Sequence, residues 1–315
     1  MTPGYILRRI LEIVPVLLVV TIVVFTILQL TPGDPARVML GDMATEADVL
    51  RLRESLGLER PVHVQYLVFV GNLVRGDLGQ SLALDRSVFR ALLERAEPTI
   101  ALTALSLLVA LIVGVVTGVI AAVFHNRPTD QILSTLALVG VSIPNFWLGL
   151  LLILVFAVRF GWFPAAGYPP IAEEGLVQSL RYLILPSFAL GLSQASIISR
   201  ITRSTMLDIF RQDFVRTAVA KGVGQRLVVI RHVLVNALVP IITVIGLVLA
   251  ALLSGAVVIE TVFAIPGLGR LVISSIARRD YPVIQGVVLL TALVYVLVNF
   301  VVDLLYTVVD PRVRY

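Results

Sequence analysis

The residues able to do chemistry are few, and their spacing excludes more than it supports. Lys221 is the only lysine in 315 residues, and a glycine follows it. No glycine-rich loop ending in Lys-Ser/Thr therefore exists to cradle a nucleotide phosphate. The chain has no cysteine, which removes disulfides, thiolate metal sites and thiol nucleophiles together. His63, His125 and His232 lack the His-Glu-x-x-His spacing of a zinc protease, and none lies within an apolar run where it could serve a serine as base. The chain is expected to be neither an enzyme nor a holder of metal or cofactor.

The most organised polar stretch is residues 200–232. Between Arg200 and Arg231 there are seven basic and two acidic residues, a net of +5, while the rest of the chain balances to zero. From Ser204, Leu207, Phe210, Phe214 and Ala218 recur at helical spacing, with Asp208, Arg211, Gln212 and Arg216 largely off that stripe. This predicts one amphipathic helix, ended by Gly222 or Gly224, since glycine accepts the left-handed cap conformation. A second helical stretch from Gln225 carries Leu227, Ile230, Leu234 and Leu238 towards Pro240. Such a helix–glycine–helix hairpin either lies on anionic headgroups or inserts into a partner's groove.

The elements that position this stretch belong in lipid. The chain is 58% hydrophobic and 14% charged, with a mean hydropathy of +0.98. Soluble domains carry about 25% charged residues, and one core cannot hide this much apolar surface. A helix needs about 20 apolar residues to cross a bilayer. Six runs qualify, at about residues 10–30, 98–124, 132–158, 182–199, 233–259 and 283–309. The expected architecture is an all-α membrane protein, one domain of six spans over residues 1–315. Arg8 and Arg9, Arg127, the 200–232 loop, and Arg312 with Arg314 all fall on one side, which places both termini in the cytoplasm. The first run is longer than a signal-peptide core and reads as a retained anchor. Residues 34–97 then form an external insertion, with Leu56, Leu58, Tyr66, Leu67 and Val70 suggesting a small packed helical unit. No internal repeat is visible, which counts against an ATP-independent secondary transporter.

Among the polar residues within the runs, Gln29, Asn145, Gln194, Asn299 and Asp303 draw attention. Asn145, Gln194 and Asn299 are candidates for a translocation path, with interhelical hydrogen bonding as the plainer role. Asp303 sits about two turns before the basic C-terminus, where a salt bridge at the inner interface is expected, and Glu12 is expected to pair with Arg8 one turn before it.

The phrase Arg216-Thr217-Ala218-Val219-Ala220-Lys221-Gly222 resembles the "EAA" loop of ABC importer permeases, with Ala218 and Gly222 matching and Arg216 and Thr217 replacing the first two family residues. Pro32-Gly33-Asp34-Pro35, Leu56-Gly57-Leu58, Gly76-Asp77-Leu78-Gly79-Gln80-Ser81 and Ser142-Ile143-Pro144-Asn145-Phe146 are similar to the dipeptide/oligopeptide branch of that family. So are Glu260-Thr261-Val262-Phe263, Pro266-Gly267-Leu268-Gly269 and Arg279-Asp280-Tyr281-Pro282, and the resemblance covers essentially the whole chain. It implies a type I importer permease fold, N-in and C-in, in the bacterial inner membrane. Its partners are a second homologous permease, two cytoplasmic ATPase subunits and an external substrate-binding protein, with no nucleic acid. It implies peptide cargo; the same branch also carries nickel, glutathione and other small solutes. Phe210, Phe214, Arg216, Ala218, Lys221 and Gly222 become the expected ATPase-coupling residues, and Asp at Ala218 or Gly222 is expected to uncouple transport. The 34–97 insertion, with the Pro266–Asp280 stretch beside it, either helps receive the binding protein or merely caps the outer mouth.

Overall fold

The computed structural model describes residues 3–30, 35–40, 44–55, 57–81 and 83–309; side chains at 3–10, 28, 35, 38, 39, 52, 55, 303 and 305–309 are outside that description. Arg8, Arg9, Pro32-Gly33-Asp34, Leu56, the Asp303 carboxylate, Arg312 and Arg314 therefore lie outside it, and with them the two pairings expected of Glu12 and Asp303. Helices, long and short, make up most of the described residues. They are α1 (Pro3–Leu30), α2 (Pro35–Leu40), α3 (Glu46–Ser55), α4 (Val62–Val74), α5 (Val88–Val123), α6 (Pro128–Ser142), α7 (Asn145–Leu152), α8 (Ile171–Glu174), α9 (Leu176–Phe210), α10 (Asp213–Ala220), α11 (Gln225–Leu227), α12 (Val235–Val262), α13 (Leu268–Ala277) and α14 (Tyr281–Val309). π-Helical turns continue α7 through Ile153–Arg159 and join α11 to α12 through Val228–Leu234. Among the described residues two compact units are distinguished, residues 98–266 with 298–309 and residues 3–97 with 267–297.

The first unit is organised around α9. Two thirds of its apolar window is buried, against a third or less in the other long helices. Small residues let its neighbours approach: a Cβ on Gly118 of α5 would lie 2.6 Å from the carbonyl oxygen of Ser199, and one on Gly114 would lie 2.7 Å from that of Ala195. Gly191 repeats this from the α9 side, where a Cβ would sit 2.6 Å from the Ser106 carbonyl. Close backbone approach of this kind is how helices gain packing where lipid gives no hydrophobic drive. The paired positions ascend together along the two helices, so α5 and α9 run parallel. Gly118→Leu is expected to lower recovery of folded, monodisperse subunit at least tenfold in detergent size-exclusion chromatography. Gly71→Leu, at a helical glycine with nothing within 4 Å, is the control expected to behave as the parent.

The run 132–158 is not one straight helix. Helices α6 and α7 meet at 102°, with Ile143 and Pro144 extended between them. The cause is local, because the Pro144 ring disfavours the helical region for the residue before it. Pro98, Pro186 and Pro240 lie inside α5, α9 and α12 without ending them. Helix α9 also outruns the expected fourth span, reaching from residue 176 to 210.

In the second unit, a two-stranded antiparallel hairpin, β1 (Gln80–Ser81) and β2 (Arg86–Ser87), precedes α5. Buried Ser81 donates its hydroxyl to buried Asp280 at 2.5 Å, tying the hairpin to the turn before α14. Val88, Leu92, Leu271, Val283 and Val287 form the core beneath it. The small packed helical unit expected in the insertion is not what α4 forms. This helix has no buried residue, and Leu67 is 66% exposed. It is apolar nearly all round, so one packed face leaves the remainder uncovered.

Candidate functional site

The end of α9 and the hairpin after it carry the basic stretch. The predicted single helix is two: Arg211 and an extended Gln212 separate α9 from α10. Asp213 occupies the first turn of α10, where a carboxylate favours the free N–H groups of a helix start. The break removes Phe210 and Phe214 from a shared helical face. Phe210 packs on a buried cluster of Met206, Ile209, Val215, Val228, Val229 and Val233, whereas Phe214 is 41% exposed. Ala218 faces inward with Val215 and is buried, so its methyl lies inside the chain and not on the outer surface.

Helix α10 ends in a Schellman cap. The Val223 N–H donates to the Ala218 carbonyl at 3.2 Å and the Gly222 N–H to the Val219 carbonyl at 2.9 Å, with Gly222 at φ +78°. Nothing lies within 4 Å of where a Gly222 side chain would begin. The outer surface of the hairpin carries Phe214, Val219, Leu227 and Ile230, all exposed, among exposed Arg211, Arg216, Lys221, Arg226 and Arg231. Arg216 reaches Asp213 at 3.5 Å, but both side chains are largely in solvent and the pair contributes little. Phe210, Val215, Val219, Val223 and Val228 line a groove beside α10, with Arg216 and Gln225 also on its wall.

One buried cluster was not anticipated. Asp130, 3% exposed in the first turn of α6, receives two hydrogen bonds from Arg203 of α9, Nε to Oδ1 at 2.6 Å and Nη2 to Oδ2 at 2.8 Å. The Asn126 backbone N–H (3.0 Å) and the Ser134 hydroxyl (3.2 Å) also donate to it, and His125 Nδ1 stands 3.2 Å away. This bidentate, charge-assisted contact fastens the α5–α6 turn to α9 about two turns before α9 ends. Gly140 of α6 lies against Ser196 of α9, so the paired positions run in opposite order and these two helices are antiparallel.

The three path candidates are not gathered at one point. Asn145 lies near Gly255 of α12, where Leu190 also packs. Gln194 is one turn along α9 from Leu190; it is buried, and its Oε1 has no partner among the described residues. Asn299 stands beside Gly246, about 13 Å from Gly255 along α12. In the sequence Glu260 stands out only as part of the Glu260-Thr261-Val262-Phe263 motif. It is fully buried and accepts a hydrogen bond from Thr99 at 2.5 Å. Its signal was present: Glu260 is the only charged residue between Val233 and Pro266.

Long apolar helices packed through glycine seams, with a basic helical hairpin at one end and no nucleotide loop, define a polytopic membrane protein of the permease kind. Comparison with known proteins makes the assignment particular. Residues 114–315 match the family described as binding-protein-dependent transport system inner membrane component, and residues 3–103 match that family's N-terminal membrane component. A Brucella melitensis biotype 1 protein, provisionally named as a peptide transport system permease, is 44% identical over 100% of both chains. The glutathione transport system permease GsiC of Salmonella typhi is 42% identical over 99% of both. A chain from the inward-facing MetNI methionine ABC transporter superposes with a TM-score of 0.58 at 21% identity, covering 70% of this chain and 96% of that one, which supports the fold. The chain belongs to the binding-protein-dependent transport inner-membrane component family and is the permease component of an ABC importer.

Proposed function

We propose that this permease moves short peptides, delivered by an external binding protein, and that two cytoplasmic ATPase subunits drive it through α10. In this reading a second homologous permease completes the pathway. The six spans are α1, α5, the bent α6–α7 pair, α9, the helix from Gln225 to Val262, and α14, with both termini and the hairpin in the cytoplasm.

The observation that carries the reading is the seating of α10. Its inward face shares one buried cluster with the end of α9 and with the start of the helix that becomes α12. A displacement applied to its outer face is therefore passed to two spans at once, which is what a two-state element biased by a remote ligand requires. Phe214 and Val219 are the apolar contacts offered to the ATPase, with Arg216 and Lys221 meeting acidic groups around its groove. Phe210 and Ala218 support the helix from below, and Gly222 turns the chain back. The chain has no nucleotide loop of its own, so hydrolysis falls to the partners.

Peptide cargo is supported by the relatives' names, which include both peptide and glutathione transport; glutathione is itself a tripeptide. The test is uptake of radiolabelled dialanine and of glutathione into proteoliposomes holding the whole complex. Uptake requiring both ATP and the binding protein is the expected result. Uptake driven by an ion gradient without ATP, or movement of neither peptide, overturns the proposal.

A further inference from the structure

Helix α4 lies within the segment read as an external insertion, yet it has the surface of a lipid-contacting element. Its 13 residues contain no Asp, Glu, Lys or Arg. At about 1.5 Å per residue it spans about 20 Å, too short to cross a hydrocarbon core of about 30 Å. Apolar helices of 10–14 residues are buried core helices or interfacial and re-entrant ones. The first option is closed among the described residues, because no residue of α4 is buried.

What α4 touches indicates where it sits. The Gln29 amide donates to Gln65 Oε1 at 2.9 Å, Phe25 meets Tyr66 edge-on with ring centroids 5.4 Å apart, and Phe25 also faces Phe69 at 5.8 Å. Thr21 and Tyr66 share a hydrogen bond of 3.0 Å. Thr21, Phe25 and Gln29 follow one face of α1, in the part of its apolar run that nears the outer surface. As α4 advances from Gln65 to Phe69, its partners on α1 step back from Gln29 to Phe25, away from the end of that run. Val62, Leu67, Val68 and Val74 of α4 are exposed, and α1 likewise exposes Leu18, Ile22 and Val23.

We infer that α4 is a re-entrant helix seated in the outer leaflet against α1, with Leu67 and Val74 in contact with lipid acyl chains. The inference rests on α1 crossing the bilayer as proposed above. A helix without charge and apolar nearly all round finds in lipid the partner that the chain does not supply. The insertion is then not wholly external: its α4 part fixes the depth of the loop that leads to the hairpin and to α5.

The absence of cysteine makes the test direct. Leu67→Cys and Val74→Cys are spin-labelled one at a time in the assembled complex in liposomes, with cysteines of the partner subunits replaced. Relaxation by oxygen, which concentrates in lipid, is compared with relaxation by a water-soluble nickel chelate. The expected result is strong relaxation by oxygen and weak relaxation by nickel at both sites. Strong relaxation by nickel places α4 in water and overturns the inference. Weak relaxation by both reagents means a protein partner covers α4 and overturns it equally, with a change on adding the binding protein naming that partner. Leu18→Cys is the control for the underlying reading: if it too is relaxed by nickel, α1 is not a span, and that failure is separate from one confined to α4.

Discussion

Replacing Phe214 by glutamate is expected to reduce ATP-driven uptake at least tenfold while leaving the subunit inserted and assembled with its partner permease. Phe214 is 41% exposed on α10, in a hairpin whose other exposed residues include Val219, Arg211, Arg216 and Lys221. Aromatic anchors at interfaces contribute about 2 kcal/mol or more, roughly thirtyfold in affinity, and a carboxylate facing an apolar groove adds a desolvation cost. Uptake and ATPase rate measured on the same proteoliposomes check the outcome. Hydrolysis without matching uptake is the signature of lost coupling. For Ala218 the burial of its methyl points to a different expected outcome. Aspartate there places a carboxylate at a buried position of α10 and costs the fold of the hairpin, so its expected effect is loss of subunit, not a clean uncoupling.

Arg203→Ala is the second large effect. It leaves the buried Asp130 carboxylate without its bidentate partner, holding only the Asn126 N–H, the Ser134 hydroxyl and the His125 ring. Removing one member of a buried ion pair costs on the order of 3–5 kcal/mol, because the other charge stays behind. A thermal unfolding midpoint lowered by several degrees is expected for the purified complex, together with failing assembly. The paired change Asp130→Asn with Arg203→Gln removes both charges and is expected to recover most of the loss. If the paired variant is no better than Arg203→Ala, the contact is not what holds the α5–α6 turn on α9.

The apolar runs are legible because lipid imposes a length and a composition that local sequence must satisfy; among the described residues four helices are long and apolar enough to cross a membrane, with the bent α6–α7 pair as a fifth candidate. The Schellman cap at Gly222 is legible for the same kind of reason, since one residue type answers one backbone demand. The bend at Pro144 carried a readable signal in the Ile143–Pro144 dipeptide, yet Pro98, Pro186 and Pro240 sit in unbroken helices. A proline alone therefore does not say which helix breaks. The split between Phe210 and Phe214 was hidden by periodicity, because a stripe can run through a two-residue break without losing its spacing. Asp130 and Arg203 lie 73 positions apart, and nothing local to either announces the other. The seam of Gly114 and Gly118 against Ala195 and Ser199 is likewise a property of two helices and not of one. For α4, the apolar residues Tyr66, Leu67 and Val70 pointed to a packed helical unit, and only the exposure of the helix shows that it has no core to join among the described residues.

The central claim is that α10 is where energy enters the permease. A photoreactive benzoylphenylalanine in place of Phe214 tests it most directly, in membranes carrying the whole transporter. The expected result is an ultraviolet-dependent adduct between this chain and the ATPase subunit, with a yield that changes when ATP is bound. Adducts with lipid alone, as a helix resting on headgroups gives, or with the external binding protein, contradict it.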